Sequence, residues 1–390
     1  ISILVDSSFS IEFILKMIKN YKPNYIYAPK ETMYLKKNYV QILDFNSYTI
    51  FQTKKAADRK LNFENFLLIS TSGTTASPKF VRLSKVNLED NVLKISQYLN
   101  IKKNHTTITT MPLGYSYGLS VINTHLQKGA RIVLNKSTIL EKVFWNKISD
   151  YKVNSFGGVP EFYEFLKRIG FHKNLYPSIK YLTQAGGKLK EETLKYYGNL
   201  CLQNKIKFYV MYGQSEASPR MTFLDWKMFF KKINSIGKPL KGCKINLFMK
   251  NRKVVKEANK EGEIVFYGKN VSLGYSKNIK DLKKGNVNKK ILYTGDIGYR
   301  DNENFYYITG RKKRFIKLFG KRLDLKEIES FLSSHGIKVR CDVNDLKLKL
   351  NLYNNFKKEK FIKTFLSKHL NINQNYILIK KNLKKTFKDF

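Results

Sequence analysis

The richest chemistry in the chain lies at residues 67–83, LLISTSGTTASPKFVRL. The apolar start predicts a buried strand. Ser70, Thr71, Ser72, Gly73, Thr74 and Thr75 follow it, dense in backbone N–H groups and hydroxyls, and Lys79 stands just past Pro78. Converging donors and one mobile ammonium suit the charge and the many acceptor oxygens of a polyphosphate. On this segment alone a plain Ser/Thr-rich turn is the alternative. A Walker A loop is excluded, because its G-x-x-x-x-G-K-[ST] pattern is absent and the lysine here follows proline.

Two further segments offer matching chemistry. MYGQSEA at 211–217 closes an apolar run. The ring of Tyr212, beside Gly213, can lie flat against a base, and Glu216 is a hard oxygen ligand suited to Mg²⁺. YTGD places Asp296 after an apolar run and a glycine, where a carboxylate can accept from both hydroxyls of a ribose. The competing readings are ordinary packing for Tyr212 and a solvated surface carboxylate for Glu216.

The three segments, TSGTTASPK, MYGQSEA and the run from Tyr293 through TGRKKR and FGKR to Glu329, resemble in order and rough spacing the motifs of the adenylate-forming (AMP-binding) superfamily. That group includes acyl-CoA synthetases, acyl-carrier-protein ligases, peptide-synthetase adenylation domains and luciferases. The likeness runs from about residue 65 to 330. It implies that Thr71, Ser72, Gly73, Thr74, Thr75 and Lys79 bind phosphates, that Tyr212 stacks on adenine and that Glu216 binds Mg²⁺. By the same likeness Ser215 replaces a threonine near the α-phosphate or substrate carboxylate, Gly186 and Gly187 let the backbone approach the nucleotide, Asp296 meets the ribose, and Arg311 reaches the ribose and phosphate from the hinge. Lys313 falls at the family's hinge, and Gly320 turns a hairpin that approaches the site when the lid rotates. Ala76 and Phe80 replace usual glycines outside the SGTT core.

MPLGYSYGLSV resembles the acyl-pocket segment, with Tyr115 at the usual histidine place. Amino-acid-activating members carry an aspartate where Gly118 stands, and a buried ammonium without that charge is costly. The implied substrate is therefore a carboxylic acid lacking an α-amino group. Gly157, Gly158 and Val159 resemble a second pocket wall. The implied reaction is ATP- and Mg²⁺-dependent formation of an acyl-adenylate, then transfer to a thiol of coenzyme A or of an acyl carrier protein's phosphopantetheine. One family feature is missing. The end, NLKKTFKDF, puts Thr386 at a motif threonine but Phe390 where the catalytic lysine of P-x-T-x-x-G-K belongs, and Lys388 is not its equivalent. Either that lysine follows Phe390, or the protein binds nucleotide or acyl-adenylate and adenylates slowly or not at all.

These residues need a scaffold that presents loops at one edge. Apolar runs at 25–28, 41–45, 66–70, 108–112, 130–134, 155–158, 179–186 and 207–213 alternate with helical patterns at 84–99, 117–127, 139–148, 160–169 and 188–200. This alternation predicts an α/β domain of layered, mostly parallel βαβ sheets, with ligands beyond the strands' C-terminal ends. The turn-rich stretch 236–309 predicts a β-rich subdomain within a large domain 1–310. Residues 311–390 are expected to form a small α+β domain, the mobile lid by resemblance. Ile1 and the short segment before the phosphate loop suggest that the family's first βα repeats lie outside this sequence.

A hydrophobic fraction of 42 % argues against disorder. No run reaches a membrane span, and the start lacks a signal-peptide pattern. Three dispersed cysteines fit a reducing compartment, read as cytoplasmic. The charge of +43 invites a nucleic-acid reading, but the lysines are spread throughout amid Asn, Ile, Phe and Tyr, so no specific nucleic-acid partner is expected. His105, His125, His172, His335 and His369 form no metal-binding spacing, and no G-x-S-x-G elbow supports a hydrolase.

Overall fold

The computed structural model describes residues 1–5, 9–32, 35, 39–54, 60–70, 79–171, 176–311, 315–318, 321–344, 347–353 and 359–381. Thr71, Ser72, Gly73, Thr74, Thr75, Lys313, Gly320, Thr386, Lys388 and Phe390 lie outside the described residues.

After β1 (Ser2–Leu4), Ser10 caps α1 (Ile11–Tyr21) by accepting from Phe13 N at 3.3 Å. Lys22 turns left-handed, φ 46°, and Pro23 follows, so the helix stops there. β2 (Tyr25–Pro29), β3 (Tyr39–Phe45) and β4 (Tyr48–Thr53) make a small antiparallel sheet in the order β2-β4-β3. β5 (Leu67–Ser70) and β6 (Phe80–Leu83) bracket the predicted phosphate loop as an antiparallel pair. Leu68, Ile69, Phe80 and Val81 are completely buried, which fixes where the loop leaves and re-enters the core.

α2 (Lys85–Tyr98) begins with a capping box in which Ser84 and Asn87 exchange side-chain and backbone hydrogen bonds. β7 (Thr106–Ile108), α3 (Ser116–Gln127), β8 (Arg131–Val133), α4 (Lys142–Asp150) and β9 (Ser155–Gly158) continue the alternation. Next come α5 (Pro160–Arg168), which has proline in its first turn, β10 (Tyr181–Gln184), α6 (Glu191–Gln203) and β11 (Lys207–Gly213). β12 (Arg220–Leu224) and β13 (Lys238–Pro239) complete a seven-stranded sheet ordered β13-β12-β11-β10-β9-β7-β8. The five strands from β8 to β11 are parallel and the last two antiparallel. Strand alternation sends Leu182 and Phe208 into a core with Phe144, Phe156, Tyr163 and Tyr197. Their neighbours Tyr181 and Tyr209 enter a second core with Ile95, Tyr117 and Met211. The strand expected at 108–112 lies earlier, at Thr106–Ile108.

β14 (Lys244–Phe248), β15 (Gly262–Tyr267), β17 (Ile291–Arg300) and β18 (Tyr306–Arg311) form the β-rich region as one antiparallel sheet. The intervening β16 (Gly274–Ser276) leaves that sheet and pairs antiparallel with β6. Beyond Arg311, β19 (Phe315–Leu318) and β20 (Lys321–Asp324) form the expected hairpin, followed by α7 (Leu325–Ser334). β21 (Val339–Asn344), β22 (Lys347–Leu352), α8 (Glu359–Leu370) and β23 (Ile377–Lys381) end the described chain. This part has its own core, with Leu323, Leu332, Leu348, Ile362 and Leu366 among its members. The architecture is thus a large α/β region with a β-rich portion and a smaller α+β segment. Among the described residues no helix is long and apolar enough to cross a membrane.

Candidate active site

The C-terminal end of β11 organises the site. Tyr212 is 9 % exposed, and Gly213 must be glycine: a Cβ there would lie 1.8 Å from Pro219 O, where the chain doubles back onto β12. Across the cleft β17 and β18 pair Asp296 directly with Arg311. Gly295, at φ 72°, supplies the left-handed step just before the carboxylate. Asp296 is fully buried and heavily engaged. Arg311 Nε lies against Oδ1, and Arg311 Nη2 donates to Oδ2 at 3.0 Å. The Tyr212 hydroxyl also donates to Oδ2, and Gln214 Nε2 reaches it at 2.9 Å while donating to Thr294 O at 3.1 Å. Burial, and then the adjacent Asp296 charge, push the Tyr212 phenol far above its ordinary pKa.

A cavity of about 310 Å³ opens beside this cluster, lined by Gly186, Gly187, Tyr212, Gly213, Asp296 and Arg311 among others, with Val343 contributed by the C-terminal segment. Gly186, at φ 90°, has the Tyr115 hydroxyl 2.7 Å from where its Cβ would be, and Gly187 has Pro160 Cγ at 3.0 Å. At both glycines it is the protein's own Tyr115 and Pro160 that pack where a side chain would stand.

A second cluster lies one turn past β11. Glu216 is 5 % exposed and accepts from the Tyr275 hydroxyl at 2.7 Å. The ammonium of Lys79 sits over the same tyrosine ring, 3.5 Å from its centroid. Lys79 and Glu216, far apart in sequence, are thereby brought to one residue. Ser215 Oγ lies 2.9 Å from Ser116 Oγ at the start of α3.

The predicted acyl-wall glycines are tightly enclosed. A Cβ on Gly118 would meet Pro112 O at 2.5 Å and Met111 O at 3.0 Å. Beside Gly157 stand the Thr183 and Tyr117 hydroxyls, and beside Gly158 the ring of Phe162. Tyr117 donates to Thr183 O at 2.9 Å, and burial pushes its phenol up to about 12. Val159 precedes α5 and packs towards Gly186. His125 is buried, bonded to Val121 O at 2.7 Å, and pushed down to about 4 by burial.

Sequence reasoning did not single out Gln214 or Tyr275. Gln214 carried a signal, since it sits inside the MYGQSEA motif. Tyr275, in the unremarkable run SLGYS, carried none.

The AMP-binding enzyme family model matches residues 30–276, and the chain belongs to that family. It is 30 % identical to the 2-succinylbenzoate–CoA ligase of Bacillus cytotoxicus over 282 residues, covering 72 % of this chain and 56 % of that protein. A 2-succinylbenzoate–CoA ligase of Bacillus cereus is 30 % identical over 274 residues, covering 70 % and 55 %. The chain thus spans about half the length of the curated relatives it matches. Among solved structures, a double mutant of o-succinylbenzoate CoA synthetase (MenE) from Bacillus subtilis with a bound product analogue superposes with a TM-score of 0.67. It is 23 % identical and covers 86 % of this chain and 71 % of that one. The same enzyme with ATP and magnesium ion gives a TM-score of 0.58 at 23 % identity, covering 84 % and 70 %. At this identity the likeness shows the fold.

Proposed function

We propose that the protein activates a carboxylic acid lacking an α-amino group with ATP and passes the acyl group to a thiol. One observation carries this reading: four separate segments bring Gly186–Gly187, Tyr212, Asp296 and Arg311 to the rim of one 310 Å³ cavity. A flat ring, a buried carboxylate and glycine backbone are what a nucleoside needs. The ribose hydroxyls donate to Asp296, displacing part of its present set of partners. Tyr212 backs the adenine, and Ser215 faces the α-phosphate side. Lys79, with Thr71, Ser72, Gly73, Thr74 and Thr75, holds the β- and γ-phosphates.

The donor set fits a divalent ion shared with the nucleotide. Glu216 offers one carboxylate whose Oε1 is already oriented, and no cluster of three or more His, Cys, Asp or Glu suited to a metal exists among the described residues. Mg²⁺ is typically held by one or two carboxylates plus phosphates and waters. Glu216 would hold it, and the ion would supply charge neutralisation at the phosphates.

In the first half-reaction a carboxylate oxygen attacks the α-phosphorus and the bond to the β-phosphate breaks, releasing pyrophosphate. In the second, the thiol sulfur attacks the acyl carbon and AMP leaves. No carboxylate stands at Gly118 to pair with an α-ammonium, and the neighbouring carbonyls leave no room for one. The curated relatives' activity makes an aryl dicarboxylic acid of the 2-succinylbenzoate type the first substrate to try, and supports coenzyme A over a carrier protein. In this reading the segment after Lys313 acts as the lid. Carboxylate-dependent exchange of labelled pyrophosphate into ATP, over a panel of aliphatic, hydroxy and aryl acids, tests the proposal. Exchange with at least one acid is expected. ATP binding without exchange for any acid would leave a nucleotide-binding protein instead.

A further inference from the structure

The short strand β16 is tied to both halves of the phosphate end, though nothing in its sequence announces this. It pairs with β6, Tyr275 opposite Val81, so it runs beside the strand that begins directly after Lys79. The buried Arg82 secures it: Nη2 donates to Leu273 O at 2.9 Å and Gly285 O at 3.0 Å, and Leu273 N donates back to Arg82 O at 2.9 Å. On the other side Ser272 N donates to Glu216 O at 2.9 Å, and Asn87 of α2 donates to Val271 O at 2.8 Å. The backbone on which Tyr275 stands is therefore fixed against the Lys79 strand and the Glu216 turn together.

The Tyr275 side chain uses two chemistries at once. Its hydroxyl donates to Glu216 Oε1 at 2.7 Å, occupying one acceptor site and leaving the other oxygen free to be aimed. Its ring face carries the Lys79 ammonium at 3.5 Å. We propose that Tyr275 is a positioning residue for the phosphate end, orienting Glu216 towards a divalent ion and Lys79 towards the phosphates. This rests on the roles given to Lys79 and Glu216 above. A neutral phenol suits the task, because it holds a cation and an anion in one cleft without adding charge of its own.

The test is calorimetric titration of ATP into the full chain across a series of Mg²⁺ concentrations, for wild type, Tyr275→Phe and Tyr275→Leu, with melting temperatures recorded. Tyr275→Phe keeps the ring and loses the hydroxyl. It should raise the Mg²⁺ needed for half-maximal tightening of ATP binding about 5-fold, with ATP affinity in EDTA unchanged. Tyr275→Leu should show that shift and also weaken ATP binding in EDTA by about 3-fold, as the cation–π seat is lost. An unchanged Mg²⁺ midpoint in Tyr275→Phe would overturn the proposal. So would an equal loss at every Mg²⁺ concentration accompanied by a lower melting temperature, since that is what a purely structural tyrosine gives. Wild type that binds MgATP without pyrophosphate exchange would sink the ligase reading and leave this inference standing. Wild type that binds no ATP would end both.

Discussion

The two ends of the site are built on opposite plans. At the proposed nucleoside end a fully buried Asp296 is already met by Arg311, Tyr212 and Gln214, so its charge is answered by protein. At the proposed phosphate end Lys79 and Glu216 are joined through Tyr275, which is 38 % exposed. A ligand at the first end exchanges one set of hydrogen bonds for another, and the net gain of such an exchange is small. A ligand at the second would bring charge to a cation and an anion that now meet only through one aromatic ring. The nucleoside end should therefore govern folding and selectivity, and the phosphate end the rate of reaction.

The largest expected effect comes from Asp296→Ala. It strands Arg311 beside Tyr212, and breaking a buried pair typically costs about 3–5 kcal/mol. Chemical denaturation should show that loss, together with loss of AMP binding. A variant as stable as wild type with AMP affinity intact would erase the contrast between the two ends. Glu216→Gln should leave stability and AMP binding nearly unchanged while pyrophosphate exchange falls by about 10²–10³, the order seen when one preorganised electrostatic contact is removed. Loss of AMP binding in that variant would mean that the two ends are one unit.

Lys79→Met should weaken pyrophosphate handling more than adenine binding. Losing a charge-assisted contact of about 1.5–3 kcal/mol corresponds to a rise of about 10–100-fold in the KM for pyrophosphate. Equal weakening of AMP would place Lys79 elsewhere. The smallest effect belongs to Tyr212→Phe, which keeps the platform for the base and removes only the hydroxyl donated to Asp296. About a 3-fold rise in the ATP requirement is expected, against the larger loss for Tyr212→Ala, in which stacking of about 1–3 kcal/mol goes too. If the two variants were indistinguishable in pyrophosphate exchange, the ring would have no contact with the base.

Much of this organisation is legible in local sequence. Ser10 and Ser84 stand at the starts of α1 and α2 as N-caps should, and apolar runs mark β5, β10 and β11. The glycines and polar residues that follow those strands mark the loops. Such signals span a few residues, because capping, chain reversal and strand alternation are decided by near neighbours. The order of the motifs was enough to suggest the family and to list Lys79, Tyr212, Glu216, Asp296 and Arg311.

What the motifs do to one another required the folded chain. That Tyr212 and Gln214 both donate to Asp296 Oδ2 depends on the end of β11 meeting β17 across 84 and 82 positions. That Arg311 faces the same carboxylate depends on the register of β17 against β18, and a slip of one residue would turn either side chain to the other face. Gly118, Gly157 and Gly158 read as pocket wall in the sequence; which groups pack where their side chains would be, backbone carbonyls, Tyr117 with Thr183, and Phe162, is decided by the fold. Tyr275 is the extreme case. Its place between Lys79 and Glu216 follows from β16 leaving its neighbours' sheet to pair with β6, held by Arg82 reaching Leu273 across 191 positions. Short-range chemistry chose the elements and the reactive residues, whereas long-range strand pairing, which no local pattern encodes, chose their partners.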